Sequence, residues 1–456
     1  MSETVKVDKN DLTQGPILKK LFLYFLPIAA GALFQQLYNA VDAIVVGRFV
    51  GTEALASVGG SPSILIQLLL GFFISLSGGC AVIIAQFFGA KDEKKVKTSV
   101  STSLIFCLII GAILTVVVCI FAPGVLKLLK TPADTLEGAI VYTRIYYAGC
   151  IFMLLFNMGS GILRAVGDSR KPFVYLMVSC AINIVLDLIF VIAFQWGVAG
   201  VAWATTIAQA ISCILVILNL FRRKEYYRLN LKEFSFDLKI LGKMLGIGIP
   251  SGVQSAMYGV SNMLLQIGVN SLGTIVVASW SMSGKIDGVY WSLINSFGVA
   301  VMNFVAQNYG AGKKERIREC TKTSLIYSLI GTAILSVIIL FVAKPLLHIF
   351  TPDAAVIETT NKIIWYFVPT YVTWTVIEVL SGILRGKGDA VKPTAIVAGG
   401  VCVLRIIWIF TIFHFVPTLF VLSMAYPVSW VVTDVALLIY YFRSMRKERE
   451  KLQLEV

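Results

Sequence analysis

Charge is what this sequence has least of. Only 14% of its 456 residues are Asp, Glu, Lys or Arg, and 57% are apolar. A soluble protein of this size carries about 25% charged residues. Histidine is almost missing: His348 and His414 have no carboxylate or thiol beside them in sequence, and no role falls to them. None of the eight cysteines forms a CxxC pair, and seven sit in apolar surroundings, so they read as small buried hydrophobes. Neither a disulfide framework nor a metal site follows from them. HExxH, GxSxG, zinc-spaced Cys/His sets, an acidic DxxD motif and a phosphate-binding P-loop are all absent, which speaks against an enzyme and against an ATP-driven pump. The first 20 residues are polar, without the apolar stretch of a cleavable signal peptide.

What is present is apolar sequence in long runs, at 21–46, 54–85, 98–122, 138–163, 173–195, 198–221, 244–270, 275–308, 323–343, 362–384, 394–415 and 418–442. Runs of about 20 residues cross the hydrocarbon of a bilayer as helices. The expectation is an all-α polytopic membrane protein with twelve transmembrane helices. A polar segment 1–20 precedes a first lobe, 21–221; a linker, 222–239, leads to a second lobe, 240–443, and a tail, 444–456. The net charge of +14 lies in the short connections, as expected of cytoplasmic flanks and not of a nucleic-acid partner. With twelve alternating spans, 31 of the 39 Lys and Arg fall on one side. That side is the cytoplasm, both termini included, and the bilayer is that of the cell membrane.

The chain also says things twice. "GILRAVGDSRKP" (161–172) returns as "GILRGKGDAVKP" (382–393), an offset of 221. "AQFFGAKDEKKVKTSVSTSL" (85–104) returns as "AQNYGAGKKERIRECTKTSL" (306–325), and Pro27 is mirrored by Pro250. Six helices per copy put both copies in the same orientation, as parallel repeats about an axis along the membrane normal. Transporters use such repeats, with a cavity between two six-helix lobes. Within the repeated stretch, Gly167 and Gly388 suit a helix C-terminus, and Pro172 and Pro393 the first turn of the next helix.

"LPIAAGALFQQLYNAVDAIVVGRFVG" (26–51), the paired AQ-x-x-GA helix ends and the paired GILR-GD-KP hairpins resemble MATE (multidrug and toxic compound extrusion) transporters. The wider superfamily of these transporters includes lipid-linked oligosaccharide flippases. The resemblance runs from about residue 16 to 445. It implies a Na⁺- or H⁺-coupled antiporter that exports amphipathic, cationic organic compounds by alternating access, with a flippase of lipid-linked head groups as the alternative. No cofactor beyond the coupling ion is implied, and a monomer is expected because the cavity would form within one chain.

Ionisable residues inside spans are costly and are functional candidates by default. Those at depth are Asp42, Asp187, Lys285, Asp287, Glu378, Arg405 and Asp434, while Arg144 is close enough to the surface to snorkel. At 1.5 Å per residue, Asp42 lies about 9 Å inside the outer boundary, Asp187 about 24 Å up from the cytoplasmic one and Thr205 about 10 Å in from outside. Three helices thus bring oxygens to one level, and Asn183 shares a face with Asp187 four residues on. Two carboxylates, an amide carbonyl and a hydroxyl suit Na⁺, or the carboxylates could carry a proton. In the family, the first-lobe cation site uses a helix-one Asp, an Asn-x3-Asp pair and a Thr; these map onto Asp42, Asn183, Asp187 and Thr205, and the family's helix-one proline maps onto Pro27. Structural polar contacts are the competing reading, but the positions 221 residues on from Asp187 and Asp42 are Trp408 and the neighbourhood of Asn262, so these acids are peculiar to the first half.

In the second lobe, Lys285, Asp287, Glu378 and Arg405 could form internal ion pairs, for instance Arg405 with Glu378 or Asp287, or serve as relay or substrate contacts. Gln35 and Tyr38 in the first lobe, and Gln254 and Asn262 in the second, are candidates for lining a cavity. A family acid on helix seven has no counterpart in "GIPSGVQSAMYGVSN", which leaves a second cation site without support.

Overall fold

The structure is a computed structural model that describes residues 11–223 and 225–454. Lys6, Lys9 and Lys224, counted above on the cytoplasmic side, lie outside them. The described residues form helices and connections, with no strand among them. Twelve helices carry the fold: α1 Ile17–Val50, α2 Glu53–Gly89, α3 Glu93–Leu128, α4 in two pieces (Ala133–Ala148 and Cys150–Ala165, bent by 46°), α5 Arg170–Ala193 and α6 Gly197–Arg222. Next come α7 Leu238–Ser271, α8 Thr274–Gly310, α9 Lys314–Phe350, α10 Ala354–Gly386, α11 Val391–Phe413 and α12 Leu419–Leu454. Ten are by themselves long and apolar enough to span a membrane, and the bent α4 makes eleven. The remaining one, α7, has 34 residues but is interrupted by polar side chains and Pro250.

Which faces are turned inward identifies the solvent. On α9, Ser324, Ser328, Thr332 and Ser336 recur every fourth residue and are buried, while Ile330, Ile334, Ile338 and Phe341 on the other side are 50–79% exposed. A water-soluble helix does the reverse. Lipid contact requires apolar groups outside, and small polar groups inside let helices approach and bond across. Helix α3 repeats the device with Ser103, Cys107 and Gly111, each 221 residues earlier.

The duplication extends to individual hydrogen bonds. Thr115 Oγ1 donates to the Tyr147 carbonyl at 2.9 Å, and Ser336 Oγ donates to the Val368 carbonyl at 3.1 Å, both ends displaced by 221. Both GILR helices end alike. Gly167 N–H donates to the Arg164 carbonyl and Asp168 N–H to Leu163; Gly388 N–H donates to Arg385 and Asp389 N–H to Leu384. The two glycines have φ of 89° and 92°, the left-handed conformation this helix stop needs. The repeated aspartates then tie the stop to the last helix of their own half. Asp168 takes Arg223 Nη2 at 2.8 Å, and Asp389 takes the Tyr440 hydroxyl.

Two compact units result. One is built mainly of Phe22–Gly252; the other holds Val253–Tyr309 and the chain from Lys313 onward. The division falls inside α7, just past Pro250. The first half of α7 packs against α2 so closely that a Cβ at Gly79 would lie 2.5 Å from Gly248 N. Within the second unit, α8 and α10 cross at Gly298 and Gly382, where a Cβ at Gly382 would sit 3.0 Å from the Gly298 carbonyl oxygen. The same positions in the first unit, Ser77 and Gly161, make the corresponding crossing at 3.5 Å.

Candidate functional site

In the first unit, α1, α5 and α6 bring the four residues singled out by depth and spacing to one place. Asn183 and Asp187 are each 1% exposed and Thr205 is 5% exposed. Asn183 Nδ2 donates to Thr205 Oγ1 at 3.4 Å. The Asp42 and Asp187 carboxyls lie within hydrogen-bonding reach of each other, and the Tyr38 hydroxyl lies within the same reach of Thr205. One carboxyl oxygen of Asp42, one of Asp187 and the amide oxygen of Asn183 are buried without a hydrogen-bond partner among the described residues. No lysine or arginine pairs with either acid among those residues. Buried acceptors without donors are uncommon and call for an explanation. Two carboxyls in contact need a proton or a cation between them, and the set is all oxygen, the donor type of a hard cation. No group of three or more His, Cys, Asp or Glu that could hold a metal ion gathers anywhere among the described residues, this cluster included.

Helix geometry places the acids. Asp187 is the penultimate residue of the regular part of α5, and a widened π-type turn, Ile189–Ala193, comes directly after it. Such turns loosen the backbone ladder and recur at functional sites. Pro27 lies inside α1, 15 residues before Asp42 and roughly 22 Å along the axis. Gln35, on the same helix, is exposed, while Tyr38 one turn on joins the oxygen cluster.

The second unit holds a cleft of about 530 Å³. Half of its lining residues are aromatic, with Trp280, Trp291, Trp374, Trp430, Tyr371 and Tyr426 among them, and the polar ones include Asn262, Asp287 and Arg405. Asp287 accepts a hydrogen bond from the Tyr371 hydroxyl. Tyr371 stacks on Tyr290 with ring centroids 3.9 Å apart, and Tyr290 donates to the Tyr371 carbonyl at 2.9 Å. Arg405 Nε donates to Ser429 Oγ at 3.0 Å, and its guanidinium carbon lies 4.0 Å from the Tyr426 ring centroid. Gln254 stands behind the wall, donating to the hydroxyl of Tyr258 at 2.8 Å.

The ion pairs considered for Arg405 are not formed among the described residues. Arg405 pairs with neither Glu378 nor Asp287; aromatic faces and Ser429 take their place. Glu378 packs over Gly298, where a Cβ would come 2.3 Å from its Oε1. Lys285 is exposed, its ammonium 5.7 Å from the Phe350 ring, because it lies two residues and so about 200° around the helix from Asp287. Arg144 is exposed, with Nε donating to the Cys119 carbonyl at 3.2 Å. All eight cysteines are free. Sequence reasoning missed the aromatic cleft. Its signal was the clustering of rings in "DGVYWS", "PTYVTWT" and "AYPVSW".

Twelve helices in two copies, lipid-facing outside and polar within, define a duplicated multi-pass membrane protein. The MatE family profile matches it twice, over residues 27–189 and again over 250–411, one match per copy. The chain belongs to the MatE family. It is 25% identical over 447 residues to the probable multidrug resistance protein YoeA of Bacillus subtilis (strain 168), with 96% of each chain covered. It is 21% identical over 392 residues to the multidrug export protein MepA of Staphylococcus aureus (strain N315), with 86% of each covered. A solved outward-facing multidrug resistance MATE family transporter of the MOP superfamily superposes with a TM-score of 0.90 at 22% identity, over 98% of this chain and 99% of that one. That likeness fixes the fold.

Proposed function

We propose that this protein is a cation-coupled antiporter that exports amphipathic organic compounds, cationic drugs among them, across the cell membrane. The reading rests on one observation above all: Asp42, Asp187 and Asn183 each keep a buried oxygen without a donor among the described residues, at a place where two carboxyls lie within hydrogen-bonding reach. Na⁺ or a proton is the coupling ion, and Thr205 completes the oxygen set. The names of its relatives, a probable multidrug resistance protein and a multidrug export protein, support the cargo class.

The physics of coupling grows out of the site. Without a cation the acids repel each other and hold water, which favours a state open to the outside. A bound cation neutralises them and lets α1 close over α5 and α6, with Pro27 as the weak point in the α1 ladder where bending is least costly. Closure shifts the population toward the inward-open state, and only a differential affinity for the two states can do so. Both termini face the cytoplasm, and one chain suffices as the working unit.

Export of a lipid-linked head group would call for several basic residues in a chamber. Arg405 is the one cation lining the second-unit cleft among the described residues, and Lys285 is turned away from it. The drug antiporter is therefore the better reading. Purified protein in liposomes, given a Na⁺ or a pH gradient and a fluorescent organic cation, tests it. Gradient-driven movement that Asp42→Asn lowers at least tenfold is the expected result. Movement indifferent to both gradients and to the substitution would defeat the proposal.

A further inference from the structure

The second-unit cleft contains a charge arrangement that the antiport reading does not use. Arg405 is 4% exposed and has no carboxylate partner among the described residues; it meets one hydroxyl, Ser429 Oγ, and the faces of Tyr426 and Trp430. Taking a guanidinium out of water is costly, and one neutral hydrogen bond with two ring faces offsets only part of that cost. The position 221 residues earlier is Ile184, so the repeated architecture does not need a charge here. The helix is also built to place it. Beyond Pro393, α11 carries a widened π-type turn at Ala398–Val403, two residues before Arg405, which the corresponding stretch of α5 lacks. The extra residue in that turn rotates Arg405 and the rest of α11 about the helix axis. Gly400 lets the turn fit against α12, because a Cβ there would lie 2.2 Å from Thr433 Oγ1.

We infer that this cleft is a binding subsite for aromatic carboxylates, with the acid group on the Arg405 guanidinium and the ring system among the tryptophans. A planar guanidinium already stacked on Tyr426 leaves its remaining N–H groups in a fork that matches a carboxylate. Stacked and edge-on rings suit a flat aromatic body, and about 530 Å³ accommodates a bicyclic or tricyclic ligand. Asp287, lining the same cleft, disfavours a second negative charge. The subsite names a cargo class for the transporter proposed above and rests on that reading, widening it beyond cations.

The test is calorimetric titration of the purified full-length protein in detergent with 1-naphthoate, against 1-naphthamide of the same shape and the doubly charged 2,6-naphthalenedicarboxylate, blank micelles subtracted. Naphthoate should bind at least tenfold more tightly than either competitor. Arg405→Gln should abolish its advantage over the amide, and Arg405→Lys should weaken naphthoate several-fold while keeping some advantage. Equal binding of naphthoate and naphthamide by the wild type would overturn the inference, as would an unchanged naphthoate affinity in Arg405→Gln. Should Arg405→Gln not be recovered folded, an unchanged affinity in Arg405→Lys would overturn it instead. No gradient enters this measurement. Naphthoate binding without driven transport in liposomes would defeat antiport and leave the subsite standing; driven transport without naphthoate binding would do the opposite.

Discussion

Asp42 on α1 and Asp187 on α5 face each other within hydrogen-bonding reach, and each keeps one buried oxygen to which no described residue donates. A purely architectural pair would have found donors. The arrangement is a cost to the empty protein, and its sign can be read in stability. Asp187→Asn removes one of two crowded acids and supplies donors, so the variant without added cation should be as stable as wild type or more stable by up to about 1 kcal/mol, and melt no lower. If Na⁺ is the coupling ion, its addition should raise the melting temperature of wild type and not of the variant; if a proton is, Na⁺ should move neither. A variant that is several degrees less stable in Na⁺-free buffer at neutral pH would mark the carboxylate as structural.

That cluster was legible in the sequence because two simple rules sufficed. Spacing of four put Asn183 and Asp187 on one face, and depth put Asp42 and Thr205 at their level. The membrane spans and the duplication were legible for the same kind of reason, since apolar length and a repeated phrase are properties of the string. Arg405 shows where such rules stop. Depth places a residue along an axis but says nothing of the direction it faces, and the widened turn before Arg405 alters that direction without any change in spacing. Its neighbours come from α12, whose rotation is set by packing at Gly400 and Thr433. Direction also separates Lys285, which is exposed, from Asp287, which lines the cleft.

The α2–α7 crossing is a tight test of packing in the first unit. A Cβ at Gly79 would meet Gly248 N at 2.5 Å and the Met244 carbonyl oxygen at 2.7 Å, all backbone. Gly79→Ala therefore forces helices apart and should cost about 1–3 kcal/mol. Gly259, farther along α7, has nothing within 4 Å of the same added atom. Gly259→Ala should be neutral or stabilising by up to about 1 kcal/mol, the helix-propensity difference. Thermal unfolding of the two variants side by side checks both signs, and equal effects would contradict the crossing.

Asp168 and Arg223 explain why the repeated hairpin keeps its aspartate. The acid is 7% exposed, bonded to Arg223 Nη2 at 2.8 Å and to the Lys171 backbone N–H at 3.2 Å. Arg223→Ala leaves it short of its main donor and should cost about 1–3 kcal/mol. In the second copy a neutral hydroxyl does this work, and Tyr440→Phe should cost only about 1 kcal/mol. Unfolding measurements that find Arg223→Ala the milder of the two would reverse this ranking.

A last outcome concerns acid. Asp92 caps α3, its carboxylate accepting the Lys95 backbone N–H at 3.0 Å and the Lys95 ammonium at 2.7 Å. The Lys95 side chain first, and its backbone N–H next, hold this exposed carboxyl below its ordinary range. A carboxyl depressed in the folded state contributes its stability above the unfolded value, near 3.9, and loses it as pH falls through the lower folded value. Asp92→Ala should cost about 0.5–2 kcal/mol at neutral pH, as lost caps do. The gap in melting temperature between wild type and Asp92→Ala should stay constant from about pH 7.5 down to pH 5 and narrow only below about pH 4. Melting curves across that range decide it, and a gap that closes by pH 6 would assign the effect to some group other than this cap.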